Sequence, residues 1–241
     1  MFEVYNSAGS LMVDHNYMNH ALVQRGWVNA NSDPIGMGLT IGGFIDITYS
    51  GGEAPVIAWR SDAFVGLLGF SQNGGDFTFR LYCQVRGHGL DYYIFDRPRP
   101  NPGNWGLQVF DGAGRLTFDG SQKYMKVAAL HEADANGALF SEVTEEWTLW
   151  LDGSRLYATA TQIPSAYVLM VGMKENPTNP ASRWIWDRYS RMCGARSGWG
   201  QITAGSFLLQ RDSGSTGAAV PPSYTAGTLK TRFMAVDITH I

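Results

Sequence analysis

Charge is scarce in this sequence of 241 residues, because Asp, Glu, Lys and Arg together make up 16% of it, against about 25% in an average soluble domain. The formal net charge is -3. No run or stripe of Lys and Arg is present that could follow a phosphate backbone. The composition therefore argues against nucleic acid as a partner, and equally against a polybasic attachment to a membrane surface.

Cysteine and long apolar runs are also scarce. Cys83 and Cys193 are too few for a disulfide framework and have no metal-ligand spacing. We expect two buried free thiols, with a single disulfide between them as the alternative. The most apolar run, 63–70, is far shorter than the about 20 residues of a membrane helix. The first residues lack the basic and apolar regions of a secretory signal, so we expect a soluble protein.

Glycine and aromatic residues are abundant, with 29 glycines and an aromatic share of 13%. This combination is typical of short β-strands joined by tight turns. We find no convincing amphipathic helix, and only 122–135 is a candidate for a short one. Gly42 and Gly43 separate two of the predicted strands, and the turn residues at 152–154 predict a hairpin between the strands beside them. Strands are predicted at 39–41, 44–49, 55–59, 77–85, 91–96, 147–151, 155–160, 167–173, 184–186 and 228–241.

A segment near the N-terminus recurs later in the chain. The segment 2–14, FEVYNSAGSLMVD, matches 107–119, LQVFDGAGRLTFD, at a constant offset of 105, and the Val, Ala, Gly, Leu and final Asp are identical. Each copy predicts a β-hairpin: an alternating strand, a turn whose Gly permits a positive φ, and a returning strand. The closing residue, Asp14 or Asp119, is expected to bond backbone amides of the next turn.

A proline-rich segment, 97–104 (RPRPNPGN), directly precedes the second copy. Three prolines and a glycine in eight residues are a strong boundary signal. We therefore predict an all-β protein of two related antiparallel β-sandwich-like units, residues 1–100 and 101–241, each with a Gly-turn hairpin motif.

Known catalytic patterns fail at identifiable positions. A nucleophile elbow around Ser71 has Asn73 in place of its second glycine. A zinc-protease motif fails at Ala135, and a calcium loop lacks its acidic twelfth ligand because Val143 stands there. A glycan hydrolase needs two carboxylates facing a cleft, and none can be paired from the sequence. We predict that the protein is not an enzyme, with no catalytic residue, no metal ligand and no cofactor.

One aromatic and basic segment is the best candidate for partner contact. Trp184 and Trp186 fall on one face of a strand, and the neighbouring prolines and arginines indicate an exposed loop. Arg and aromatic side chains are favoured at interfaces, whereas packing in the core is the alternative for Trp. The candidate contact residues are Arg183, Trp184, Trp186, Arg188 and Tyr189.

The segment 106–119 (GLQVFDGAGRLTFD), followed by Tyr124 and Met125, resembles a pattern in small minor tail proteins of long-tailed, non-contractile bacteriophages. The N-terminal copy and the segment 92–98 (YYIFDRP) resemble the same proteins. The resemblance implies a structural virion protein of the tail tip or baseplate, made in the host cytoplasm and taking part in host receptor binding. Its partners would be other tail proteins, a host surface receptor or polysaccharide, and further copies of itself in a homo-oligomer such as a trimer. A carbohydrate-binding module or lectin-like adhesion protein is the alternative.

Overall fold

A computed structural model describes residues 3–5, 7, 11–14, 18–33, 39, 41–100, 106–135, 146–161, 166–174, 178–179, 182–216 and 229–241. Every regular element in these ranges is a β-strand, so the all-β prediction is confirmed. The same residues contain no helix long and apolar enough to cross a membrane.

The described residues form seventeen strands. In the first half of the chain these are β1 (Glu3–Tyr5), β2 (Leu11–Asp14), β3 (Ala21–Asn29), β4 (Gly43–Tyr49), β5 (Val56–Arg60), β6 (Val65–Asn73), β7 (Asp76–Cys83) and β8 (Gly89–Asp96). In the second half they are β9 (Gln108–Phe110), β10 (Leu116–Asp119), β11 (Lys126–Ala135), β12 (Glu146–Trp150), β13 (Tyr157–Ala160), β14 (Ala166–Lys174), β15 (Trp184–Gly198), β16 (Gln201–Thr216) and β17 (Leu229–Asp237).

Two large antiparallel sheets pack together as a β-sandwich. The six-stranded sheet has the order β11-β17-β13-β5-β8-β3. The seven-stranded sheet has the order β12-β16-β15-β6-β7-β4, and its seventh strand, β14, pairs with β15. Two hairpins, β1-β2 and β9-β10, stand outside these sheets as separate two-stranded sheets.

The two halves of the chain contribute equivalent strands in the same order. Outward from the centre, the six-stranded sheet runs β5, β8, β3 on one side and β13, β17, β11 on the other. The seven-stranded sheet runs β6, β7, β4 and β15, β16, β12. Strands β1–β8 thus correspond in sequence order to β9–β13 and β15–β17, and β14 alone of the described strands has no counterpart. The duplication extends well beyond the hairpin from which it was predicted.

The two hairpins have the same register as well as similar sequences. Glu3 pairs with Asp14 in the first, and Gln108 pairs with Asp119 in the second, which is the same pairing displaced by 105 positions. Both ladders shift register one pair further along, so the irregularity is repeated too. The Oδ1 atom of Asp119 accepts a bond from the backbone N–H of Ser121 at 2.9 Å, as expected for this position. The equivalent side chain of Asp14 lies outside the described residues.

The halves are joined within both sheets. In the seven-stranded sheet the joining pair is Val65 of β6 with Ala195 of β15. In the six-stranded sheet β5 and β13 pair through Trp59 with Thr159 and through Ala58 with Ala160. The division near residue 100 stays a prediction, and both sheets continue across it.

Each half has its own apolar cluster between the sheets. The first is centred on Trp59 and Ile94 from one sheet and Leu81 and Val65 from the other. The second combines Tyr157 and Phe233 with Ala195 and Ile202. Residues adjacent to these inward positions, such as Ala58, Phe95 and Ala158, form a further buried cluster, so part of the opposite face of the six-stranded sheet is covered as well. Burying these side chains supplies the main driving force for folding.

The two cysteines are both buried and both free, as predicted. Burial raises the pKa of Cys83 to about 11, and it raises that of Cys193 to the same value. Both groups are therefore neutral thiols at physiological pH and behave as small apolar side chains.

Two local predictions are wrong. Residues 126–135 of the candidate helix form β11, which pairs along its whole length with β17. The hairpin predicted around Asp152 does not form, because β12 pairs with β16 whereas β13 pairs with β17 and β5. The turn itself is present, with Asp152 Oδ1 accepting a bond from the Ser154 N–H at 3.0 Å. It leads the chain from one sheet to the other.

Candidate functional site

The predicted contact residues lie at the start of β15 and just before it. Arg183 is exposed and precedes the strand, and Trp184 is half-buried at its first position. Trp186, Arg188 and Tyr189 follow within the strand, and their backbones pair with β14 on one side and β16 on the other. The side chains of these three residues lie outside the described part of the chain. The strand predicted at 184–186 is confirmed, and it continues to Gly198, so Arg188 and Tyr189 lie in this strand rather than in the exposed loop indicated by the neighbouring prolines and arginines.

The strand belongs to an extension of the seven-stranded sheet, which consists of β14 with residues 184–190 of β15 and 210–216 of β16. β15 and β16 are 15 and 16 residues long, whereas their counterparts β6 and β7 have 9 and 8. The additional residues of β15 pair with β14, whereas β15 pairs with β6 at Ala195. Among the described residues, this extension is the main structural difference between the two halves.

A second candidate site is a groove of about 410 Å³ on the outer face of the six-stranded sheet. β8 directs Leu90 and Ile94 into the core, so Gly89 and Asp91 face the opposite side. The groove, called the outer groove below, is lined by these two positions with Trp27 of β3, Arg60 of β5, and Ser61 and Asp62 that follow β5. Its volume is within the range of small-ligand sites.

An aromatic, an acidic and a basic side chain lie side by side in the outer groove. Asp91 is the register partner of both Trp27 and Arg60, so the three residues form a row across adjacent strands. Arg60 donates from Nε to Asp91 Oδ2 at 2.9 Å, and its Nη2 lies 2.8 Å from the same oxygen. The ion pair holds both side chains against the sheet and fixes the orientation of the carboxylate.

Trp27 is an exposed indole on a rigid support. The side chain is 62% exposed, although it belongs to a strand of the main sandwich. A β-carbon added at Gly89 would lie 2.6 Å from an atom of the indole ring, so the ring rests directly on the glycine backbone. A flat apolar surface is thereby presented to solvent at low conformational cost.

The rim of the outer groove carries a second carboxylate. His88 Nε2 lies 2.6 Å from Asp62 Oδ1, and this hydrogen bond lowers the pKa of Asp62 from its ordinary value. The side chain of Asp62 is otherwise open to solvent. Ser197 of β15 donates its N–H to the Ser61 carbonyl at 2.9 Å, which brings the second half of the chain to the edge of the groove.

Two further exposed tryptophans lie near that edge. Trp150 is 75% exposed and Trp199 is 62% exposed. The register partner of Trp150 is Gln201, and the next residue, Leu151, donates its N–H to the Gly200 carbonyl at 2.8 Å. Trp199 therefore lies in the β15–β16 turn and the backbone of Trp150 lies beside it. This turn begins directly after Gly198 of the groove lining.

The chemistry of the outer groove is suited to binding. It offers carboxylate acceptors, guanidinium and backbone donors, and a flat apolar surface. In the described part of the chain, no group of three or more His, Cys, Asp or Glu side chains could hold a metal ion. Ser71, the closest match to a nucleophile motif, is an exposed residue within β6.

Sequence reasoning missed the outer groove because its residues lie far apart in the chain. Positions 27, 60–62, 89–91 and 197–198 meet only through strand pairing, and no short motif links them. The pattern of β3 gave one local signal, since Trp27 alternates with half-buried positions of the strand. From sequence alone, a single Trp in a strand is usually interpreted as a core residue.

No family model matches the chain, and no curated protein or solved structure matches it at a significant level. The likeness of the hairpin motif to phage tail proteins therefore stays a prediction.

Proposed function

We propose that this protein is a structural component of a bacteriophage tail tip or baseplate, where it acts by assembly and adhesion and takes part in host receptor binding. The observation that carries the proposal is the repeated hairpin, which resembles tail proteins in sequence and recurs with the same register in both halves. A repeated sandwich supplies a stable framework, and the extension in the second half supplies a surface for contact.

The extension is suited to docking on another protein. Among the described strands β14 pairs with β15 alone, so its other edge can accept a strand from a partner. Arg183 and Ile185 are exposed where β15 enters the extension, and Ile185 is 39% exposed despite being apolar. Exposed apolar side chains beside a basic one are typical of protein interfaces. The partners would be other tail proteins and further copies of this chain in a ring, such as a trimer, in the virion.

Mass spectrometry of purified virions tests this function directly. The protein should be present at a small fixed number of copies per particle, and its absence would contradict the proposal. Ile185→Asp should prevent incorporation, because a buried charge at an interface is costly. Val85→Asp is the matched control, since Val85 is 49% exposed in a loop and lies outside the extension. Light scattering on the purified protein measures the expected homo-oligomer.

A carbohydrate-binding module or lectin-like protein is the second candidate. It is favoured by the exposed tryptophans at positions 27, 150 and 199, which are the kind of side chain that stacks on sugar rings. Binding to a glycan array by an isolated protein that is absent from virions would support this candidate over the first. A tail protein that binds surface polysaccharide would satisfy both.

A further inference from the structure

We propose that the outer groove is a saccharide-binding site for an uncharged pyranose unit, which stacks on the indole of Trp27 and bonds through its hydroxyls to Asp91 and Asp62. The inference deepens the second candidate function by naming the site and the class of sugar, and it does not need the tail function, because the groove would bind the same ligand in a free protein. It also differs from the contact site at 183–189, which lies on the extension.

The stacking surface is the first element of the site. One face of a pyranose ring carries mainly C–H groups, and such a face needs a flat apolar partner that is already in place. Trp27 meets this requirement because its ring is supported by Gly89 and is 62% exposed. An indole has few rotatable bonds to immobilise, so ordering it costs little on binding.

The polar groups around the indole are the second element. Arg60 contacts Oδ2 of Asp91 through both Nε and Nη2, and a carboxylate has about four acceptor sites in all. Asp91 can therefore also accept bonds from the hydroxyls of a sugar stacked beside it. Asp62 offers a second carboxylate at the rim, and its contact with His88 uses one oxygen.

The balance of charge decides the class of sugar. Arg60 already compensates Asp91, and the carboxylate of Asp62 remains exposed at the rim. An anionic sugar such as a uronic or sialic acid would bring a third carboxylate into the groove and would be repelled. A cationic ligand would gain little at Asp91, where the position beside the carboxylate is taken by a guanidinium. Neutral hexoses and N-acetylated hexosamines fit these constraints.

The test uses the full chain on an array of defined neutral and acidic oligosaccharides, followed by titration calorimetry with the neutral glycan that binds best. Trp27→Ala should weaken binding at least about tenfold, as loss of a central aromatic contact usually does. Trp27→Phe should restore part of the affinity, because it keeps a smaller ring. Phe70→Ala is the matched control, since Phe70 is 61% exposed but lies in β6 of the other sheet, outside the groove lining, and the affinity of this variant should change less than about twofold.

Gly89→Ala tests the same site independently. The added methyl group would displace the indole from its support and should lower affinity while Trp27 remains. The inference is overturned if no neutral glycan on the array is bound, if Trp27→Ala binds as the unchanged protein does, or if acidic glycans or a lysine-rich peptide bind better. Glycan binding by a protein missing from virions would defeat the tail proposal and leave this one standing.

Discussion

Two glycines allow the halves to join, and replacing one of them should separate the strands. Gly66 and Gly194 stand beside Val65 and Ala195, the pair that links β6 to β15. A β-carbon at Gly194 would lie 2.7 Å from both the Val65 carbonyl oxygen and the ring of Phe207, and one at Gly66 would lie 2.5 Å from the Cys193 carbonyl oxygen. Neither glycine has a positive φ, so the backbone angles themselves would tolerate Ala.

The change in the free energy of unfolding expected for Gly194→Ala is the sum of two contributions of opposite sign. An Ala in a strand is favoured over Gly by about 0.5–1 kcal/mol through chain entropy. Overpacking against a neighbouring backbone costs about 1–3 kcal/mol. The two contacts of 2.7 Å place the overpacking cost in the upper part of its range, so Gly194→Ala should destabilise the protein by about 1–2 kcal/mol. The double variant with Gly66→Ala should cost less than the sum of the two single changes, because one separation of the strands relieves both contacts.

Urea unfolding followed by tryptophan fluorescence measures these differences, and the strands themselves provide the controls. Gly69 in β6 and Gly198 in β15 have no atom within 4 Å of an added β-carbon and no positive φ. Their Ala variants should be as stable as the unchanged protein, or more stable by about 0.4–1 kcal/mol. If Gly194→Ala proved as stable as Gly198→Ala, the close approach of β6 and β15 would be refuted.

Two other predictions concern buried groups. Within the described residues the Thr159 hydroxyl, beside Trp59, is buried without a hydrogen-bond partner, so Thr159→Val should leave stability unchanged or raise it by about 1 kcal/mol in the same urea assay. A loss of about 1 kcal/mol would instead mean that the hydroxyl is satisfied. The thiols of Cys83 and Cys193 have pKa values raised to about 11 from 9.0. The free energy of unfolding should be highest below pH 9, where the thiols are neutral in both states, and should fall as the pH rises toward 11. A disulfide-exchange reagent at pH 8 should label both cysteines only after the protein unfolds. Rapid labelling of the folded protein would contradict their burial.

The strands and the repeat could be predicted because both depend on local patterns. Alternation of apolar and polar residues identifies β7, whose inner face is buried. The hairpin at 107–119 was predicted from its turn chemistry. Asp111 Oδ1 accepts bonds from the N–H groups of Ala113 and Arg115, both at 2.9 Å, and Gly114 has a φ of +76°. These interactions lie within a few residues of one another, so the sequence contains all of them.

The errors arise where distant segments decide the outcome. β11 contains several alanines and favours a helix by local propensity, yet it pairs with β17 more than 90 residues away. The turn at Asp152 has the residues of a hairpin, but its flanking strands find partners in different sheets. The outer groove could not be predicted for the same reason. Its row of Trp27, Asp91 and Arg60 exists only because β3 and β5 both pair with β8.

The strand order has a consequence for how the molecule can vary. Both joining contacts, β5 with β13 and β6 with β15, bring together equivalent antiparallel strands, which is the geometry of an isologous interface between two copies of one subunit. In a symmetric dimer of that kind every surface feature would occur twice. Within one covalent chain the two copies are free to differ. One half can therefore carry nearly all of the outer groove while the other carries the extension, so that the two proposed contact sites differ in chemistry and are connected through sheets that both halves share.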